Sequence, residues 1–582
     1  TNENWEWQSH TVNDSVIYTP IVIDRNHAFT KVDGVLFKQM LKMLSLDFIC
    51  NYDSLILKDT KKINKLAFAL DMAVAGRSDE SVWIRQAQEI RKQMTDSLID
   101  SAFTYLPEGV KHDEIELIKR KLKRRRLELE AVASQYYRLL QRTPVVAGTN
   151  QSDYFLIERQ APDRTILRIY DPETGDCRLE QQFSGRETKE LWLYGLAGND
   201  TFEVKGNTRK DFPIYLISGE GENQYQLNHN RKIHVYDKDY KYDYQKIKYH
   251  KISFTPWGIY DSDKGISLGT FFTYTMYGFK RAPFTYQHRI GYNYLKGFMY
   301  AGVFPNYDGR RRLYLNASIS SPRNFENFFG FGNNTAGYKE EKKNYNRVKL
   351  RTYMLNPSFE MDLRKEEVVT FFGSLDMYKA KRTDDRYIYT VYGEDHPIFR
   401  TNYFVGLGAT YRITKQPYSW LPLLETEWTA GWKMNLKKPE RNFPYAQGSL
   451  SWNVRFSDRF TWASLMKGTV LFDNDYEFYQ AATIDLRGFR DNRFIGKQSF
   501  YQYSDLRLDM GKLKNPFTPL KYGLFAGFDY GRVWFPGERS HSWHTSYGGG
   551  IWLTFLNKFT TKYSWFGSTD SFRFAFELGL GF

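Results

Sequence analysis

Phe572-Arg573-Phe574-Ala575-Phe576-Glu577-Leu578-Gly579-Leu580-Gly581-Phe582 closes the chain, and its alternation decides how the rest is read. Side chains of an extended strand point to opposite faces in turn. Phe572, Phe574, Phe576, Leu578, Leu580 and Phe582 therefore share one face, and Arg573, Ala575, Glu577, Gly579 and Gly581 the other. A soluble sandwich strand also alternates, so repetition has to separate the two cases. Sixteen such segments follow one another, starting near residues 247, 265, 284, 298, 311, 346, 366, 400, 422, 444, 459, 499, 522, 545, 558 and 571. An even count is what a single-chain bacterial barrel requires. Connections after odd-numbered segments include the long ones, 322–345, 383–399 and 474–498, whereas those after even-numbered segments are mostly tight. That asymmetry is the long-outside, short-inside pattern, which puts both ends of the barrel on the periplasmic side.

Composition agrees with this reading. The 582 residues hold 43 Tyr, 44 Phe and 14 Trp, as aromatic girdles demand, and no run of about 18 apolar residues offers a helical span. A net charge of +15 raises the question of nucleic acid, but the basic residues are dispersed and no recognition motif accompanies them. Contact with anionic lipid headgroups accounts for it equally well, and no nucleic-acid partner is expected. The one dense basic block, Lys119 to Arg126, reads as a solvated helix face. Cys50 and Cys177 are too few for a disulfide framework and lack metal-ligand spacing. No cofactor is expected. Thr1-Asn2-Glu3-Asn4 shows neither a basic n-region nor an apolar h-region, so an export signal is expected to have been removed or to lie outside these residues.

Upstream of the barrel two further domains are expected. Residues 1–145 read as mostly helical after a short extended opening. The best helix spans 111–142, where Ile115, Ile118, Leu122, Leu129, Val132, Tyr136 and Leu140 recur at helical spacing, and a second spans 79–103 with Trp83, Ile90, Met94 and Leu98. Residues 146–246 change to short strands with glycine turns. Two turns, Gly195-Leu196-Ala197-Gly198-Asn199-Asp200 and Gly219-Glu220-Gly221-Glu222-Asn223, are similar to single copies of the calcium-binding glycine-rich turn. A calcium roll stacks several copies, so a plain β-turn pair is the default, with Asp200 and Asn223 as the side chains a calcium site would use. A segment from Asp24 to Gly34 faintly resembles a metal-binding kinase stretch but has no nucleotide loop upstream, and a helix-entry turn is the better reading. The fold expected is thus an all-β, 16-stranded antiparallel transmembrane β-barrel at 247–582, behind a helical domain and a small Gly-rich β domain.

Leu486-Arg487-Gly488-Phe489, in the long connection before the twelfth strand, and Gly527-Phe528-Asp529-Tyr530-Gly531 on the next strand carry a family resemblance. With the terminal Phe582, they resemble the signatures of the BamA-like outer-membrane assembly-factor superfamily, the bacterial surface antigen barrels. The resemblance covers roughly 247–582. It implies a loop folded into the barrel, with Arg487 reaching Asp529, Gly488 allowing a tight turn at the wall and Phe489 wedging the loop tip. Alternation alone puts Asp529 on the face opposite Leu524, Ala526, Phe528 and Tyr530, hence in the lumen, where an unpaired carboxylate is costly. Asp505, Arg507 and Asp509, opposite Leu506, Leu508 and Met510, would extend a lumenal charge network. POTRA modules are not recognisable. The front instead looks like the region preceding the barrel in members fused to an upstream metallophosphoesterase, whose dimetal motifs are absent from these residues.

The resemblance implies a non-enzymatic bacterial outer-membrane protein that assists insertion or transport of proteins or lipids, with its N-terminal domains periplasmic. Implied partners are outer-membrane lipid and lipopolysaccharide, lipoprotein accessory subunits and client outer-membrane proteins. A barrel that anchors an enzymatic or binding domain, and a passive pore, are the alternatives.

Overall fold

The computed structural model describes all residues except 1–4, 13–14, 24–28, 30–40, 42–47, 54, 107–111, 207–209, 229–231, 238–239, 241, 245–249, 262, 307–308, 336–343, 416–422, 514–519, 556–558 and 581–582. The kinase-like segment, apart from Phe29, and the terminal Phe582 therefore lie outside the described residues. The chain divides into two compact units, Thr1–Tyr249 with Gly278–Lys280, and His250–Tyr277 with Arg281–Phe582.

The first unit opens on an antiparallel hairpin, Trp5–Val12 with Ser15–Val22. Its longest helix is His112–Leu140, whose amphipathic stripe the sequence shows plainly. The stretch 79–103 differs from expectation: it forms two helices, Glu80–Gln93 and Asp96–Ala102. Thr95 makes the break, with extended backbone and a side chain that accepts a hydrogen bond from Leu98 N at 3.1 Å, as an N-cap does. Ile90 and Leu98 are consequently exposed. The basic block is not simply solvated either. Lys121 and Arg125 donate to the carbonyls of Tyr52 and Asp53, Lys123 pairs with Asp100, and Arg126 pairs with Asp96, so the block clasps neighbouring segments.

After the helix the chain winds as a short parallel solenoid. Val145–Ala147, Leu191–Tyr194, Ile214–Ile217 and Ile233–Tyr236 pair in parallel on one side, and Tyr154–Gln160, Thr201–Gly206 and Gln224–Leu227 on the other. Phe155, Phe202 and Tyr225 stack between the sheets at 4.6 and 5.7 Å between ring centroids. The expected division at 145/146 does not separate two cores. Phe68, Met72, Tyr136 and Leu140 from the helices pack on Val145, Trp192, Tyr194 and Ile217 from the strands. A sheet face this apolar must be covered, and the helix that runs straight into the first strand is the nearest cover.

In the second unit the strands Lys251–Asp261, Gly265–Met276, Tyr286–Asn293, Gly297–Pro305, Arg311–Ser320, Arg347–Arg364, Glu367–Ala380, Asn402–Lys415, Leu423–Asn435, Asn442–Arg455, Phe460–Leu471, Gln498–Leu513, Leu520–Trp534, His544–Phe555, Phe559–Gly567 and Phe572–Leu580 each pair antiparallel with the next. Tyr260 and Asp261 of the first of these strands pair with Phe576 and Ala575 of the last. The sheet's burial is inverted relative to a soluble protein. On the second strand Ile266, Leu268 and Phe272 are 65, 64 and 55% exposed, while the alternating Ser267, Thr273 and Thr275 are buried. The long connections turn inward: Phe328, Ile388, Ile398, Phe478 and Ile495 from them join Tyr378 and Phe404 of the wall in one hydrophobic cluster.

Candidate functional site

Arg487 lies on the connection between Phe460–Leu471 and Gln498–Leu513, which folds back against the inner wall. Its backbone N and its Nε each donate to the Asp529 carboxylate at 3.1 Å, its Nη2 pairs with the same group, and Nη1 donates to Asp505 at 2.7 Å. Asp529 is fully buried and also accepts from Ser546 Oγ at 2.8 Å. Register explains the convergence. Asp529 is paired with Ser546 on one neighbour, and Gly527, two residues away on the same face, is paired with Asp505 on the other. The guanidinium occupies the space that a side chain at Gly527 would fill: a Cβ there would lie 2.7 Å from Arg487 Nη2, from Asp505 Oδ1 and from Phe566 Cζ. Phe566 stacks beneath it, 3.9 Å from ring centroid to guanidinium carbon. Arg thus has both acceptor pairs and an aromatic face, a combination lysine does not match.

Gly488 runs so close to the wall that a Cβ would meet Ser546 Cβ at 2.7 Å and Gly567 O at 2.9 Å. Phe489 is buried with Ile484, Leu486, Phe494, Tyr501 and Val533. Arg507 and Lys562 approach Asp505 at 3.6 and 3.5 Å. Asp509 does not join this network. Its Oδ1 accepts from Gly511 N at 2.8 Å, across a bulge between Asp509 and Gly511. A cavity of about 410 Å³ between the loop and the wall is lined by Arg487, Asp505, Arg507, Lys562, Arg573 and Glu577, so the network borders a polar space large enough for water. Ser546, Phe566 and Lys562 were not singled out in the sequence. Only pairing register places them, and register is not visible in one strand.

The seam between the first and last strands is thin. Tyr260↔Phe576 and Asp261↔Ala575 are its pairs among the described residues. The same first strand pairs along Lys251–Asp261 with its other neighbour, and the last strand along Phe572–Leu580 with its own.

The glycine-rich turns place Asp200 and Asn223 in a column with Asp153. Asp200 Oδ1 accepts from Asp153 N, and Asn223 Oδ1 accepts from Asp200 N, both at 2.9 Å. These two oxygens tie successive coils together through backbone N–H groups. Asp153 is itself paired with Arg178 at 2.9 Å. Burial pushes the Asp200 carboxyl up to about 7, against the pull of its hydrogen bond from Asp153 N. Among the described residues no group of three or more His, Cys, Asp or Glu is arranged to hold a metal.

No protein-family model matches the chain, and no curated protein does. Among solved structures, it is similar to BamA from Haemophilus ducreyi lacking POTRA domains 1–3, at 11% identity and TM-score 0.43, over 57% of this chain and 71% of that one. It is also similar to CdiB from Escherichia coli (11%, TM-score 0.40, 56% of this chain) and from Acinetobacter baumannii (12%, TM-score 0.36, 58% of this chain). The chain spans 62 and 66% of the length of the two CdiB structures. The barrel reading stands on the strand ladder itself, not on these superpositions.

Proposed function

We propose that the second unit is a closed, sixteen-stranded barrel in a bacterial outer membrane, and that it assists insertion or translocation of proteins, its seam being where a client strand adds. The membrane part is supported by the outward apolar belt, which water would penalise and lipid would not. The observation that carries the functional part is the two-pair seam. Among the described residues the first and last strands share only Tyr260↔Phe576 and Asp261↔Ala575, and so short a ladder is a template for β-augmentation. The inward-turned connections and the Arg487 loop weigh against a passive pore. In this reading the chain carries no catalytic centre, the first unit is periplasmic, and lipoprotein subunits and client outer-membrane proteins are its partners.

A second reading, a barrel that anchors a binding or enzymatic domain, is favoured by the two hydrophobic cores of the first unit. A photo-reactive residue at Phe254 or Phe574 should crosslink newly made outer-membrane proteins, while one at Leu407, distant along the ladder, should not. Equal labelling at all three positions would leave only the anchor.

A further inference from the structure

The seam is held by more than its two strand pairs. Asp263 and Lys264 lie in the turn joining the first and second strands, and Ser568, Asp570 and Arg573 lie at the turn and start of the last. The inward loop touches both sets within six consecutive residues. Towards the last hairpin, Gly488 O accepts from Ser568 Oγ at 2.7 Å, Phe489 O accepts from Arg573, and Arg493 pairs with Asp570. Towards the first hairpin, Arg490 Nη1 donates to Asp263 Oδ1 at 2.6 Å and Asp491 pairs with Lys264 at 2.9 Å. Asp263 is 3% exposed and is backed from the mouth of the barrel by Asn327 and Arg347.

We propose that the segment Gly488–Arg493 is a latch across the seam, with Asp263 as the catch that Arg490 engages. Among the described residues, strand pairing at the seam is that of Tyr260 and Asp261, the positions closest in sequence to that catch. Two ladder pairs are a small barrier, whereas buried, charge-assisted bonds on both hairpins are a large one. The latch, not the ladder, therefore sets whether the seam is shut. Arg487 is held by Asp529 and Asp505 immediately upstream, so a shift of the loop that breaks those pairs withdraws Arg490 and Arg493 together. This rests on the reading of the seam as the client's entry point, but the latch is testable with no client present.

The test uses the full chain in native membranes, with Cys50→Ser and Cys177→Ser removing the background thiols, and Tyr260→Cys with Phe576→Cys reporting seam closure by disulfide formation. The parent should crosslink readily. Arg490→Ala should slow crosslinking by roughly fivefold as the open population rises. Arg490→Lys, which keeps a cation for Asp263, should retain most of the parent rate, and Arg312→Ala, whose partners Glu360 and Asp362 lie elsewhere on the wall, all of it. Should Arg490→Ala fail to reach the membrane, Lys264→Ala replaces it and should slow the reaction to a smaller degree. Parent-like rates in folded, heat-modifiable Arg490→Ala or Lys264→Ala overturn the latch. Client crosslinks missing at Phe254 while Arg490→Ala still loosens the seam would sink the function and leave the latch standing.

Discussion

Arg487 is the residue on which the interior of the barrel turns, because it satisfies two buried carboxylates at once. Arg487→Ala strands Asp529, a loss that reaches about 3 to 5 kcal/mol for a dry pair and less beside a polar cavity. The strand ladder does not depend on that pair, so the protein should still insert and shift with heat on a gel, but with a protease-sensitive loop. A parent-like protease pattern would speak against the lock. Gly527→Ala tests the same site from below. Its methyl would enter the space of the guanidinium and of Phe566, an overpacking typically worth about 1 to 3 kcal/mol, and should reproduce the loop sensitivity with Arg487 still present. Asp200 gives a pH dependence in the first unit. Its carboxyl is raised from 3.8 to about 7 by burial, so its contribution to stability is full below pH 4 and lost as pH rises through 7. Asp200→Asn should therefore raise the melting temperature of that unit at pH 8, with the gain shrinking towards pH 5. A gain that grows on acidification would refute the assignment.

Elements carry the topology. The strand starts Gly265, Arg311, Arg347 and Glu367 lie at or within one residue of positions fixed by alternation alone, since one inverted face marks a strand wherever it begins. The long connections after Arg311–Ser320, Glu367–Ala380 and Phe460–Leu471 should then face outward from the cell. A tag placed at 336–340 should be reached on intact cells, and one at 514–519 only after permeabilisation, both sites lying outside the described residues. The reverse pattern would invert the barrel. Helical elements were less legible. Periodicity runs unbroken through 79–103, and only Thr95, a capping residue inside an otherwise helical window, marks where the backbone leaves the helix.

For the whole molecule, the two units differ in what stabilises them. The first has inward-facing cores that a water-soluble fold requires, so a fragment ending at Tyr249 should fold without detergent. A fragment that aggregates until detergent is added would contradict this. The second unit wears its apolar side chains outside. By itself the sequence determined the alternation of each strand and the antiparallel succession of strands, because alternation is a local property, and it put Arg487 and Asp529 in short motifs. The tertiary structure alone decided the rest. The register between neighbouring strands brings Ser546, Asp505 and Phe566 around Arg487. The same long-range placement puts Asp263 under Arg490, and coiling aligns Asp153 with Asp200 and Asn223 although no glycine pair marks the first turn. These contacts join residues far apart in the chain, and their energy depends on a many-stranded sheet and a stacked solenoid that no single segment contains.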